Sequence, residues 1–235
     1  MRTAAAILAT GLAVLLVCVQ PFAGRARYQR LIASLPNEPD ARLRHYRRGI
    51  IGQWVAVALV GLIGVLSRRG GSSIGLRGGP HAASATGTVA EVAVILGVSA
   101  VFFRFGGPNV RHLLRRQAKG FLAVLPRSPR EKAVFAGLAL TAGVCEEILF
   151  RGFGIAYVRW LWPTASRAAL IVVTAAGFGF AHLYQRTRGV VLAGLLGAYF
   201  AWVTLSTGSL LPAMAMHALV DLRILALPDL DQVAP

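Results

Sequence analysis

Seven stretches of the chain are apolar for long enough to form spans: residues 3–22, 49–67, 88–105, 132–162, 164–185, 189–206 and 209–227. Each approaches the ~20 residues that a helix needs to cross a ~30 Å hydrocarbon core. The breaks between them are polar or rich in Gly and Pro, such as LPNEPD (35–40) and the Gly/Ser/Arg loop from Ser67 to Thr88. An eighth segment, PNVRHLLRRQAKGFLAVLP, has a different pattern. Val110, Leu113, Leu114, Ala118, Phe121, Leu122 and Leu125 share one helical face, and Arg111, Arg115, Arg116 and Lys119 take the other. That spacing predicts an amphipathic helix in the membrane interface with its basic face toward the headgroups. The expected fold is therefore all-α: a polytopic membrane bundle of about seven transmembrane helices (six to eight) plus one interfacial helix.

Composition agrees with the pattern. Of 235 residues, 56% are hydrophobic and 14% charged, with mean hydropathy +0.62; a soluble domain carries about 25% charge. The formal charge of +16 comes from 25 Lys and Arg against 9 Asp and Glu. With the N-terminus outside, 18 of these cations fall on the cytoplasmic side and 6 on the other, Arg151 lying within a span. This follows the positive-inside bias and predicts a cytoplasmic C-terminus. The same bias makes residues 3–22 a retained first span, because cleaving it as a signal peptide would export the seven arginines between Arg25 and Arg48. Anionic lipid headgroups are the expected partner of the basic surface. Nucleic acid is not, since no basic patch is interleaved with stacking aromatics. Cys18 and Cys145 lie in apolar runs without CxxC spacing and read as packing residues.

Chemistry is concentrated in AGVCEEILFRGFG (142–154), where Glu146 and Glu147 interrupt an apolar run and Arg151 follows one turn after Glu147. Two further pairs sit in later spans at the same i,i+4 spacing: Phe178 with His182, and His217 with Asp221. Each pair projects from one face of its helix. Taken singly, Glu147–Arg151 is a structural ion pair, His182 an interfacial residue and His217–Asp221 a satisfied helix pair. Taken together, ionisable groups on three helices each cost about 2.5–3.5 kcal/mol in lipid, and convergence on one polar site explains them jointly. In such a site a carboxylate or imidazole activates water and a second group stabilises the oxyanion. Arg151 can hold Glu147 ionised, which leaves Glu146 as the candidate base. Neither GxSxG nor HExxH occurs.

These residues resemble the CPBP family of intramembrane glutamic endopeptidases (CAAX proteases and bacteriocin-processing enzymes, also called Abi proteins). EExxxR matches Glu146 to Arg151, FxxxH matches Phe178 to His182, and His217 with Asp221 matches a third motif of His followed four residues later by Asn or Asp. The resemblance covers roughly residues 130–225, so residues 1–125 are expected to be N-terminal helices and basic loops without a motif, and residues 126–235 the protease core. It implies a metal-independent endopeptidase without cofactor, acting on a membrane-associated protein or peptide from a site open to the cytoplasm. By the same resemblance Glu146 and His182 activate water, His217 and Asp221 occupy the oxyanion-stabilising positions, and Glu147 and Arg151 support Glu146. Asp221 replaces the Asn of some members. An ionised Asp cannot donate to an oxyanion, so Asp221 is either protonated or orients a donating His217. Two alternatives remain open: a zinc-dependent hydrolase with Glu146, His182 and His217 as ligands, or a non-catalytic membrane protein using the cluster for immunity or partner binding. The Ala/Arg/Gly-rich composition suggests a bacterial cytoplasmic membrane.

Overall fold

The computed structural model describes residues 3–68, 75, 90, 97 and 122–226. Two expectations, the span at 88–105 and most of the amphipathic helix over 108–125, lie outside the described residues. Among those described, the structure is entirely helical. Helix α1 (Thr3–Val14) passes through a π-helical segment, Leu15–Val19, into α2 (Gln20–Ser34), so the first span runs a dozen residues beyond its apolar stretch. The predicted break at LPNEPD is a turn, and α3 (Ala41–Leu66) follows it. Helix α4 (Pro129–Glu147) continues through a second π-helical segment, Ile148–Phe153, into α5 (Gly154–Leu161). Then come α6 (Arg167–Ala181), α7 (Arg186–Thr207) and α8 (Leu211–Leu222).

Four continuous helical stretches are long and apolar enough to cross a membrane: Thr3–Ser34, Ala41–Leu66, Pro129–Leu161 and Leu183–Thr207. Helix α8, in the stretch expected as a full span, has 12 α-helical residues, continued by a 3₁₀ turn at Arg223–Ala226. Large apolar side chains such as Val55, Val65, Val172 and Leu195 are exposed on the outer faces. In an integral membrane bundle those faces meet lipid, which is as apolar as they are.

Helix ends follow local chemistry. Ser128 Oγ accepts from Glu131 N, while Glu131 Oε2 accepts from the backbone N–H groups of Ser128 and Arg127, a capping box with Pro129 in the first turn. Ser166 caps α6 through Ala169 N. Gly208 closes α7 with φ 69°, a conformation in which a Cβ is strained.

The bundle closes around small residues. A Cβ on Gly143 of α4 would stand 2.7 Å from Ala218 N and 2.9 Å from Ala218 Cα, so α4 and α8 touch backbone to backbone. A Cβ on Gly179 of α6 would meet Val190 O of α7 at 2.7 Å. These contacts place His217, the residue before Ala218, directly over α4. Gly143→Ala should therefore push α8 away and lower stability by about 1–3 kcal/mol. Thermal unfolding in detergent tests this; an unchanged midpoint would mean that the backbones do not meet there.

Helix α3 runs parallel to α4 along one continuous face. Arg42 pairs with Glu131 at 3.7 Å and donates to Ala123 O at 3.0 Å. One turn on, Tyr46 packs edge-on against Phe135 and donates to Val124 O at 2.6 Å. Gly49 lies where a Cβ would touch Leu138 at 3.2 Å. A common apolar core links α1, α3, the π-segment of α4 and α6 through Leu12, Ile63, Phe150 and Phe178.

Candidate active site

The deepest layer of the site is charged. Glu147, the last residue of α4, and Arg151, inside the π-helical segment, have side chains with no exposure, and Arg151 Nη1 donates to Glu147 Oε1 at 2.9 Å. The ion pair expected from their spacing is thus formed and dry. Arg151 is held between two rings, 4.2 Å from the centroid of Phe178 on α6 and 5.5 Å from that of Phe200 on α7, each a cation–π contact. A Cβ on Gly197 of α7 would come within 2.9 Å of both Arg151 Nη2 and Phe178, so glycine there makes room for the guanidinium.

His217 of α8 rests on this layer. Its Nδ1 lies 2.8 Å from Glu147 Oε1, the same oxygen that Arg151 binds. A carboxylate in an ion pair only accepts, so Nδ1 carries hydrogen and Nε2 points the other way. The ring stacks on Phe200 (5.2 Å, 22°) and meets Phe178 edge-on (5.7 Å, 85°). Nε2 faces two more carboxylates, Glu146 Oε2 at 3.9 Å and Asp221 Oδ2 at 3.8 Å. Both distances exceed a hydrogen bond.

Exposure is graded across the cluster: 0% for the Glu147 side chain, 6% for His217, 19% for Glu146 and 33% for Asp221. The two outer carboxylates are the ones left partly exposed.

His182 ends α6. Its Nδ1 lies 2.9 Å from the carbonyl of Phe178, so Nδ1 donates, and in the neutral ring Nε2 holds a free lone pair. The ring packs on Phe178 at 4.7 Å between centroids. His182 and His217 thus sit on the same phenyl ring, and Phe178 serves both imidazoles and Arg151.

All seven residues singled out from the sequence fall in one neighbourhood. Glu146, Glu147, Arg151, His217 and Asp221 form a chain of contacts within 4 Å, which His182 joins through Phe178. The geometry bonds Glu147 both to Arg151 and to His217. It also gives the orientation of His217 to Glu147, whose bond is 2.8 Å, rather than to Asp221 at 3.8 Å. Among the described residues no three His, Cys, Asp or Glu side chains are grouped as metal ligands.

Two participants went unnoticed in the sequence. Phe200 looked like ordinary core in an apolar span; only its stacking on His217 sets it apart. Gln53 of α3 donates from Nε2 to Glu146 Oε1 at 3.2 Å. It is a lone amide in the run IIGQWVAVALVGLIG, and a polar group at that depth was a signal. Glu131, also buried, belongs to the capping box and the Arg42 pair.

Residues 129–223 match the family model Rce1-like, described as type II CAAX prenyl endopeptidase Rce1-like. No curated protein and no solved structure matches the chain. The matched region contains all three motifs, from Glu146 to Asp221, and the buried Glu/Arg/His cluster they build is a site suited to intramembrane proteolysis. Over residues 129–223 the chain thus matches an Rce1-like CAAX-protease domain, set in a multipass membrane helix bundle.

Proposed function

We propose that Glu146 and His182 activate the water that this endopeptidase adds across a peptide bond, with His217 stabilising the oxyanion. The observation that carries the assignment is the split between the two glutamates. Glu147 is sealed and bound to Arg151 and His217, while Glu146 is partly exposed, with Oε2 free of hydrogen bonds among the described residues. Water oxygen attacks the carbonyl carbon as its proton passes to Glu146. The His182 lone pair on Nε2 accepts a hydrogen bond from the same water and orients it. The carbonyl oxygen becomes the oxyanion and accepts Nε2–H of His217, whose other N–H is held by Glu147. The C–N bond then breaks, the leaving amine takes the proton from Glu146, and the carboxyl product departs. The reaction needs no metal, and none of its steps uses one. Asp221, on the exposed side of His217, carries the charge that balances this N–H between turnovers.

The substrate is a protein or peptide held at the membrane, as the family implies, and the basic residues of the loops engage anionic headgroups around it. The site opens toward the cytoplasm of a bacterial cell membrane, the side to which the cation asymmetry assigns the helix ends near Arg130 and Arg186. Residues 126–235 form the protease core, and residues 1–125 an N-terminal unit whose described helices α1 to α3 pack against it.

N-terminal peptide mapping of membranes from cells carrying the native protein or Glu146→Ala, at matched levels, tests the reading. The native protein should generate N-termini that the variant does not, and these identify the substrate. Identical maps, with the variant still supporting the cellular phenotype, would reject proteolysis.

A further inference from the structure

The N-terminal helices contribute to the active site. The face of α3 that follows α4 carries Arg42, Tyr46, Gly49 and Gln53, at positions i, i+4, i+7 and i+11 of one helical stripe. The first three meet Glu131, Phe135 and Leu138 in turn. Glycine at 49 brings α3 close to α4, and the stripe ends where Gln53 reaches Glu146.

The contact has a direction. Gln53 Nε2 lies 3.2 Å from Glu146 Oε1. The amide nitrogen is the end that donates, so Oε1 of Glu146 is occupied and Oε2 is the oxygen turned to His217. The other end of the amide, Gln53 Oε1, is buried and has no hydrogen-bond partner among the described residues. A buried acceptor without a partner is destabilising, and a leucine at position 53 would incur no such cost. Packing therefore does not account for the amide.

We infer that Gln53 is a positioning residue for Glu146: its amide N–H holds Oε1 and so fixes which carboxylate oxygen meets water. The active site thus extends beyond residues 129–223, onto a helix that the family match does not include. This inference rests on the assignment of Glu146 as the base.

The test measures the initial rate at which Glu146-dependent N-termini appear in isolated membranes, across a pH series, for the native protein, Gln53→Leu and Gln53→Glu. Unfolding midpoints of the three are recorded in detergent. Gln53→Leu should slow the reaction about 10- to 100-fold, the range expected when a base loses its alignment, with an unfolding midpoint near that of the native protein. Gln53→Glu should displace the acid limb of the rate profile to higher pH, because two adjacent carboxylates share a proton; a packing role would leave the profile in place. Native rates with a native pH profile in both variants would overturn the inference while leaving proteolysis intact. If Gln53→Leu simply unfolds, the profile of Gln53→Glu decides: displaced supports the role, unchanged rejects it. If native and Glu146→Ala membranes give the same N-termini, the protease reading fails and this inference with it.

Discussion

Arg151→Leu should destabilise the bundle by about 3–5 kcal/mol, the usual cost of leaving one member of a buried ion pair without its partner. Arg151 is 1% exposed and Glu147 0%, so the remaining carboxylate would be left buried without its partner. The loss would also free the face of Phe178 and the hollow at Gly197, so His217 would lose both a fixed anchor and a packed floor. Replacing both partners, as in Glu147→Gln with Arg151→Leu, should recover much of that stability, because an uncharged pair has no desolvation cost to offset. Activity should not return with it, since the amide is a weaker acceptor for His217 Nδ1. Thermal or denaturant unfolding in detergent, read as a double-mutant cycle, measures the coupling. Additive losses would mean that the two side chains do not form a pair in the folded protein.

His182→Gln should slow the Glu146-dependent reaction about 10²- to 10⁴-fold, the range associated with removing a general acid–base group. The argument is geometric. The 2.9 Å bond from Nδ1 to the Phe178 carbonyl fixes the tautomer, so Nε2 presents a lone pair rather than a hydrogen. Glutamine can preserve a polar contact but cannot offer an imidazole lone pair at that point. Because His182 stands at the end of α6, outside the Glu147–Arg151–His217 layer, the unfolding midpoint should change little. A rate within a few-fold of native would remove His182 from water activation and leave Glu146 to act alone.

Much of the fold was legible because lipid imposes a simple rule. Every backbone polar group in the hydrocarbon must be satisfied within its own helix, so apolar runs report helices directly. Helix α7 appears over Arg186–Thr207 where 189–206 was expected, and the LPNEPD break is where its prolines put it. Misreadings occurred where apolarity and helicity part company. Helix α2 continues through three basic residues to Ser34 because hydrogen bonding, not hydropathy, ends a helix. Helix α8 gives way after Leu222 to a 3₁₀ turn, Arg223–Ala226, a tightening that apolarity does not report.

The expensive residues were equally legible. Glu146, Glu147, Arg151, His182, His217 and Asp221 are ionisable groups in apolar stretches, and i,i+4 spacing is enough to pair Glu147 with Arg151. Sequence alone therefore determined the helical class, the membrane setting, the motif residues and that local ion pair, each governed by a repeat of 3.6 residues or by the cost of charge in lipid.

Tertiary structure decided the rest. Only the crossing of α4 and α8 at Gly143 and Ala218 brings His217 onto Glu147, 70 positions away. Only the stripe on α3 brings Gln53 to Glu146. The difference between adjacent glutamates, one sealed and one partly exposed, follows from which helices cover them. No local spacing encodes it, because neighbouring residues on a helix point about 100° apart and their fates depend on what is packed against each side.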